Sequence, residues 1–178
     1  MTLSGSQQAT DKFLWWFGNL PYQHKVFIAG NHDFYFEKNI QLREKYVNAG
    51  IIYLCDSDVI LNDIKIWGSP WSPEYNNFAF NKKRGDEMSK VWQNIPDDVD
   101  ILLTHTPPYS ILDYEPKEGN LGCRDLLYKV MQIQPKIHAF GHIHFSYGQV
   151  NLNSTTYVNC CILDENYKVR NEPIVIEI

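Results

Sequence analysis

Residues 26–33 of the chain read VFIAGNHD, an apolar run that ends at a glycine and is followed by three polar side chains. Such a short, β-rich run with apolar residues on both faces is typical of a buried strand in an α/β sheet. Asn31, His32 and Asp33 would then lie at the carboxyl end of that strand, where open α/β sheets bind ligands. Asn and Asp also favour tight turns, so the stretch alone fits either a turn or one wall of an active site.

Two further apolar runs end in the same way. ILLT leads directly to His105, and IHAF leads to the GHIH of residues 141–144. His142 and His144 are two residues apart and would share one face of an extended segment, with Gly141 expected to allow a sharp turn or a close approach. Each motif alone fits a strand end, but neutral imidazole is the commonest protein metal ligand. The three motifs occur together at strand ends of one chain, and this combination predicts a metal-centred site. His24 and His138 are expected to be structural instead.

The patterns around these motifs predict the fold class. Helical patterns cover residues 7–20, 39–50, 84–95 and 120–135, the first with Ser4 or Ser6 as candidate cap. Strand patterns alternate with them early and cluster late, in residues 147–152, 155–162 and 172–178. This order predicts a single α/β domain over residues 1–178, a four-layer α/β/β/α sandwich with two mixed sheets between helices.

Composition narrows the class of protein. The chain has 178 residues, 44% of them hydrophobic and 14% aromatic, which suits one domain with a packed core. A net charge of −5 argues against strong nucleic-acid binding. The four cysteines form no CxxC pair and are interpreted as free thiols in a reducing, cytoplasmic compartment. No apolar run is long enough to span a membrane, and residues 1–6 do not form a signal peptide if Met1 is the true start.

The ordered set GNHD, LLTHTPP and FGHIH resembles the calcineurin-like metallophosphoesterases. The stretch WGSPWSPEYNNFAFN (residues 67–81), the pair Gly122-Cys123 and the continuation FGHIHFSYG are similar to their small metallophosphoesterase-domain subgroup. The resemblance covers nearly the whole chain. It implies a metal-dependent phosphoesterase, a hydrolase, with a dinuclear site.

The resemblance also implies which residues carry the chemistry. The implied metal ligands are Asn31, His105 and His142 for the second ion and His144 for the first. His32 would protonate the leaving group or bind phosphate, and Asp33 would orient His32 and tune its charge. Two divalent ions (Mn, Fe or Zn) are implied in the complete enzyme, with a bridging hydroxide that attacks phosphorus. Because His142 is present, the second metal site is expected to be competent.

The sequence departs from the family pattern at its start. The Asp-x-His and Gly-Asp motifs of the family do not precede GNHD, and residues 1–5 are similar to the segment directly after Gly-Asp in the family. The first core strand, two ligands of the first metal and the shared carboxylate are therefore expected to be missing. The 178-residue chain is expected to bind at most one metal weakly and to be severely impaired in catalysis. Three explanations stay open: Met1 is not the true start, the sequence is a fragment of a longer chain, or the motifs have been lost.

The implied substrate is a small phosphomonoester or phosphodiester, with nucleotide-type and cyclic esters included. Four aromatic residues of the 67–80 loop either stack on a base or cover the core: Trp71, Tyr75, Phe78 and Phe80. Arg84 either contacts phosphate or stays solvated, and Cys123, at a helix start, is expected to pack in the core. The sequence assigns no substrate-binding residue and no oligomeric state.

Three other functions stay open. A non-catalytic interaction module on the same fold is favoured by the missing motifs and opposed by the intact GNHD and GHIH. A nuclease is opposed by the net charge of −5, because polymer binding relies on phosphate neutralisation. A Cys- or Ser-based hydrolase is opposed by the absence of a G-x-S-x-G motif from the sequence.

Overall fold

The computed structural model describes residues 5–39 and 50–178. The helices in this part of the chain are α1 (Gln7–Gly18), α2 (Phe34–Lys38), α3 (Asp86–Trp92) and α4 (Arg124–Ile133), with a 3₁₀ helix at His144–Ser146. The strands are β1 (Lys25–Ile28), β2 (Ile51–Leu54), β3 (Ser57–Leu61), β4 (Ile64–Ser69), β5 (Ser72–Pro73), β6 (Asn81–Lys82), β7 (Ile101–Thr104), β8 (Tyr114–Glu115), β9 (Gly119–Asn120), β10 (Ile137–Phe140), β11 (Gly148–Leu152) and β12 (Thr155–Asn159).

Six strands form one mixed sheet in the order β11-β12-β10-β7-β4-β3. Its four central strands are parallel, whereas β11 and β3 are antiparallel edges. β1 and β2 form a separate two-stranded parallel sheet. The expectation of two mixed sheets is therefore wrong for the second sheet, since both of its described strands run in the same direction. β5 and β6 make a short parallel pair within a stretch expected to be a loop.

Each of the two sheets packs against its own outer helices through a separate hydrophobic core. The first lies between the six-stranded sheet and helices α3 and α4, and includes Trp92, Leu102, Leu126 and Tyr157. The second lies between the β1–β2 sheet and helices α1 and α2, and includes Leu14, Phe27, Phe36 and Ile51. Gly68 of β4 brings the two sheets together, because a Cβ there would lie only 2.6 Å from Leu54 Cβ and 2.7 Å from Ile28 Cγ2. The α/β/β/α order expected from the sequence is confirmed.

Most predicted elements are found where the sequence indicates them. Ser6 caps α1, with its hydroxyl accepting the N–H of Ala9 at 3.3 Å. The helix predicted over residues 39–50 falls almost entirely outside the described residues. The strand predicted over residues 172–178 is wrong: the segment forms no strand, and Val175 is 88% exposed. Its apolar alternation suits a sheet, but a strand needs a neighbouring backbone to pair with, and none of the described residues provides one.

In the described part of the chain no disulfide joins the four cysteines, as the sequence predicts: Cys55, Cys123, Cys160 and Cys161. The cytoplasmic location inferred from them stays a prediction. Among the described helices, none combines the length and the hydropathy that crossing a membrane would require.

Candidate metal centre

Three strand ends bring the candidate ligands together. β7 and β10 are neighbours in the six-stranded sheet and lead to His105 and His142, whose ring centroids are 4.7 Å apart. β1 belongs to the other sheet and leads to Asn31, whose Oδ1 lies 2.8 Å from His105 Nε2. The site therefore lies where the carboxyl ends of strands from both sheets meet, as the sequence indicates.

Gly30 permits this close approach. A Cβ at residue 30 would lie 2.6 Å from His105 Cε1 and 2.7 Å from His105 Nδ1, so the imidazole packs directly on the glycine backbone. Gly141 was expected to play such a role, but a Cβ there would meet no atom within 4 Å. The sharp turn in GHIH occurs instead at His142, which adopts a φ of +69°.

His105 and His142 are held as neutral imidazoles. Burial, assisted by the neighbouring His142, keeps the pKa of His105 well below its ordinary value. Burial also lowers the pKa of His142 to about 4, with repulsion from His144 and His32 as further causes. Near pH 7 both rings are therefore in the unprotonated form that coordinates metal ions.

His144 differs from His142 in its backbone conformation and in its hydrogen-bond partner. The expectation that the two share a face of an extended segment is wrong, because His142 is in the left-handed region and His144 begins the 3₁₀ helix. His144 Nδ1 lies 2.6 Å from the carbonyl oxygen of Asp164. A carbonyl can only accept, so Nδ1 carries a proton, and in the neutral form of the ring it is Nε2 that offers the lone pair. Metal-ligating histidines are usually oriented by such a bond.

His32 and Asp33 lie next to this centre. The half-buried imidazole of His32 lies against the ring of Phe78, with centroids 4.8 Å apart. Asp33 is 2% exposed and its Oδ2 accepts the N–H of Gly30 at 2.8 Å, which closes the turn that carries Asn31. The predicted role of Asp33 in orienting His32 stays a prediction.

Asn159, which the sequence analysis did not single out, fixes the GHIH turn. It is fully buried at the end of β12, and its Nδ2 donates to the carbonyl oxygens of Ile143 and Leu112 at 2.9 and 3.0 Å. Its Oδ1 accepts the N–H of Cys161 at 3.0 Å. The sequence predicted a strand over residues 155–162, which placed Asn159 inside the strand, whereas the strand ends at Asn159. The strand-end signal that identified the other site residues therefore missed it.

The donors fit one divalent ion. Within residues 5–39 and 50–178, no group of three or more His, Cys, Asp or Glu side chains is arranged to hold a metal. The atoms that converge are instead an amide oxygen and imidazoles, from Asn31, His105 and His142, a set that suits transition metals. An ion ligated by both Asn31 and His105 would replace the hydrogen bond that joins them. Neither these residues nor His144 supplies a carboxylate, so the fit does not extend to two dications.

The aromatic residues of the 67–80 loop divide into two groups. Trp71 and Phe80 pack in the cores, and Phe80 is only 3% exposed. Tyr75 and Phe78 lie at the site instead: Phe78 contacts His32, and Tyr75 stacks on Phe78 with centroids 6.5 Å apart. The core-covering expectation is therefore confirmed for Trp71 and Phe80, whereas stacking of Tyr75 and Phe78 on a base stays a prediction.

Arg84 and Cys123 support the structure around the loops. The Arg84 guanidinium donates to the carbonyl oxygens of Leu121 and Gly122, both at 2.8 Å, so it is committed to the backbone. Cys123 is fully buried, accepts a hydrogen bond from Trp92 Nε1 at 3.3 Å, and has its thiol pKa raised by burial. A raised pKa keeps the thiol protonated, which agrees with the packing role.

Comparison with known proteins shows the family of the chain. The family described as calcineurin-like phosphoesterase matches residues 4–146. The chain belongs to this family, which is a family of hydrolases. It is 39% identical over 198 residues to human metallophosphoesterase domain-containing protein 1, covering 98% of this chain and 61% of the relative. It is 37% identical to the Caenorhabditis elegans UPF0046 protein T07D4.2, covering 90% of this chain and 48% of that protein. The subgroup resemblance is thus confirmed.

The chain spans 61% and 48% of the lengths of these two relatives. A solved crystal structure superposes with a TM-score of 0.67 at 17% identity, covering 93% of this chain and 71% of that one. The protein TT1561 of Thermus thermophilus superposes with a TM-score of 0.50 at 11% identity, covering 76% and 62%. At such identities the structures show a shared fold.

Proposed function

We propose that the complete protein is a metal-dependent phosphoesterase for small phosphomonoesters or phosphodiesters, nucleotide-type and cyclic esters among them. The observation that carries this proposal is the convergence of three neutral donor side chains at the strand ends, with Asn31 Oδ1 only 2.8 Å from His105 Nε2. The membership of the chain in a hydrolase family supports it.

Each candidate residue has a defined part in this proposal. The residues that would hold divalent metal, such as manganese, iron or zinc, are Asn31, His105, His142 and His144. Bound divalent ions polarise phosphoryl oxygens and supply a nucleophile at neutral pH. His32, half-buried beside these residues, donates a proton to the leaving oxygen, and Asp33 orients it. Two ions are proposed for the complete enzyme, and at most one, weakly held, for the 178-residue chain.

A second candidate is a non-catalytic interaction module on the same fold. It is favoured by the absence of a carboxylate among the four candidate ligands. Such a module would keep the imidazole cluster as a packing feature, with Asn31 and His105 bonded to each other as they are here. The two candidates differ in metal-dependent turnover.

Hydrolysis of bis-p-nitrophenyl phosphate with added manganese separates the two candidates. We would compare this chain with one extended at its N-terminus to carry Asp-x-His and Gly-Asp, each with and without chelator. The phosphoesterase proposal expects the extended chain to turn over and chelator to stop it. If both chains are folded and neither turns over, the interaction module becomes the better account.

His32 is tested in the active chain. His32→Ala should keep bound metal while turnover falls by roughly two to four powers of ten, the usual share of general acid–base catalysis. His24→Ala, at an exposed histidine directly before β1, is the matched control and should leave turnover unchanged. Wild-type turnover in His32→Ala would show that the acid assignment is wrong.

A further inference from the structure

Tyr167 lies against two of the candidate site residues. Its hydroxyl oxygen is 3.5 Å from His32 Nε2, and its ring meets the His32 ring edge-on, with centroids 5.8 Å apart and an interplanar angle of 86°. It also meets the His144 ring edge-on, at 5.3 Å and 87°. A tyrosine near the C-terminus thus joins residues that come from the GNHD and GHIH motifs.

The backbone around Tyr167 is tied to the site. The carbonyl oxygen of Asp164 accepts both the N–H of Tyr167 at 2.9 Å and Nδ1 of His144 at 2.6 Å. The carboxylate of Asp164 accepts the N–H groups of Asn166 and Lys168, both at 2.9 Å. The same turn therefore orients a candidate metal ligand and positions the tyrosine ring.

Phe78 also contacts His32. Its ring centroid is 4.8 Å from that of His32 at an interplanar angle of 52°, and the N–H of the next residue, Ala79, donates to the carbonyl oxygen of Asn31 at 2.9 Å. Phe78 is half-buried and Tyr167 is 45% exposed, so both rings offer apolar surface to an incoming molecule. We call Phe78 and Tyr167 the aromatic slot.

We propose that the aromatic slot binds the planar aromatic group of a phosphate ester, such as a nucleobase or a phenyl ring, beside His32. This inference rests on the proposed function and names its substrate class. An ester oxygen that reaches His32 Nε2 comes close to the Tyr167 hydroxyl, so the aromatic group attached to it lies at the slot. Aromatic rings prefer edge-on or offset contacts of the kind these residues already make.

Binding of two phosphonates tests the slot without turnover. Phenylphosphonate and methylphosphonate carry the same anionic group and differ in the aromatic ring. With manganese present, calorimetry on the wild-type chain should show tighter binding of phenylphosphonate. Tyr167→Ala and Tyr167→Leu should weaken phenylphosphonate roughly threefold to tenfold, the range of measured ring–ring contacts, and should change methylphosphonate less than about twofold. Tyr167→Phe keeps the ring and should retain the preference.

Tyr128→Ala is the matched control, because Tyr128 is an exposed tyrosine on helix α4, and it should leave both affinities unchanged. Equal losses for the two phosphonates in Tyr167→Leu, or no binding of phenylphosphonate to the wild type, would overturn the slot. Tyr167-dependent phenylphosphonate binding by an extended chain that hydrolyses no ester would overturn the proposed function and leave the slot standing. Ester hydrolysis by the extended chain, together with phenylphosphonate binding that does not depend on Tyr167, would overturn the slot and leave the proposed function standing.

Discussion

Gly30 shows how closely the candidate centre is packed at the scale of single residues. Gly30→Ala would place a methyl group 2.6 Å from His105 Cε1, so the imidazole must shift from the position in which it bonds Asn31. Overpacking of this kind costs about 1–3 kcal/mol of unfolding free energy. We expect that loss in urea unfolding, together with weaker manganese binding, because the displaced ring no longer meets the amide oxygen.

Gly141→Ala is the matched control for this prediction. A methyl group at residue 141 meets no atom within 4 Å, although the residue directly precedes His142. The change in unfolding free energy should stay within about 0.5 kcal/mol, as at an ordinary surface site. Equal effects of the two substitutions would show that the contact between Gly30 and His105 does not shape the site.

The candidate ligands and Tyr167 differ in how far the sequence could predict their positions at the site. Asn31, His105 and His142 were predicted because each follows directly on an apolar strand, a signal contained within a few residues. Tyr167 was not, because 135 positions separate it from His32 and its own segment carries no strand-end pattern. Contacts made by a loop through its turn geometry depend on the folded chain and leave little local trace.

Helix α3 fixes the outer layer through Trp92. This residue is 1% exposed in the core beneath α3 and α4, and its indole donates to Cys123 at 3.3 Å. Trp92→Ala should lower the unfolding free energy by about 3–5 kcal/mol, because it leaves a large cavity. Trp15→Ala on helix α1, where the side chain is 74% exposed, should cost far less. Urea denaturation compares the two, and a Trp92→Ala loss no greater than that of Trp15→Ala would contradict the layer assignment.

At the scale of elements, the sequence predicted which segments have the pattern of a strand better than it predicted which strands pair with each other. β1, β7 and β10 were identified by apolar runs, and parallel pairing of β7 with β10 puts their carboxyl ends side by side. Residues 172–178 carry an equally clear alternation but pair with no described strand. Periodicity reports which faces of a segment are apolar, whereas pairing depends on a second segment elsewhere in the chain.

His138 links the whole molecule's stability to pH. Thr104 Oγ1 donates its one proton to the carbonyl oxygen of Thr106 at 2.7 Å, so it accepts from His138 Nε2 at 2.8 Å. Nδ1 is then an unprotonated nitrogen, buried without a hydrogen-bond partner in the described part of the chain. Burial lowers the pKa of His138 from 6.5 to about 3. The structural role predicted for this histidine is consistent with these contacts.

The sign of the pH effect follows from that pKa. The unfolded state takes up a proton below pH 6.5 that the native state takes up only near pH 3, so stability falls as pH drops through this window. Between pH 7 and pH 5, His138 should account for a loss of about 2 kcal/mol in unfolding free energy. Urea unfolding at both pH values should show a smaller loss in His138→Gln than in the wild type, and an unchanged loss in His24→Gln. An identical pH dependence in His138→Gln and the wild type would contradict this assignment.

The account as a whole depends on the candidate metal centre being a metal site. Titration of the 178-residue chain with manganese, followed by electron paramagnetic resonance of the free ion, tests this directly. We predict at most one weak site in this chain, which disappears in His105→Ala and persists in His24→Ala. Two tight sites, or a site that survives His105→Ala, would contradict the account.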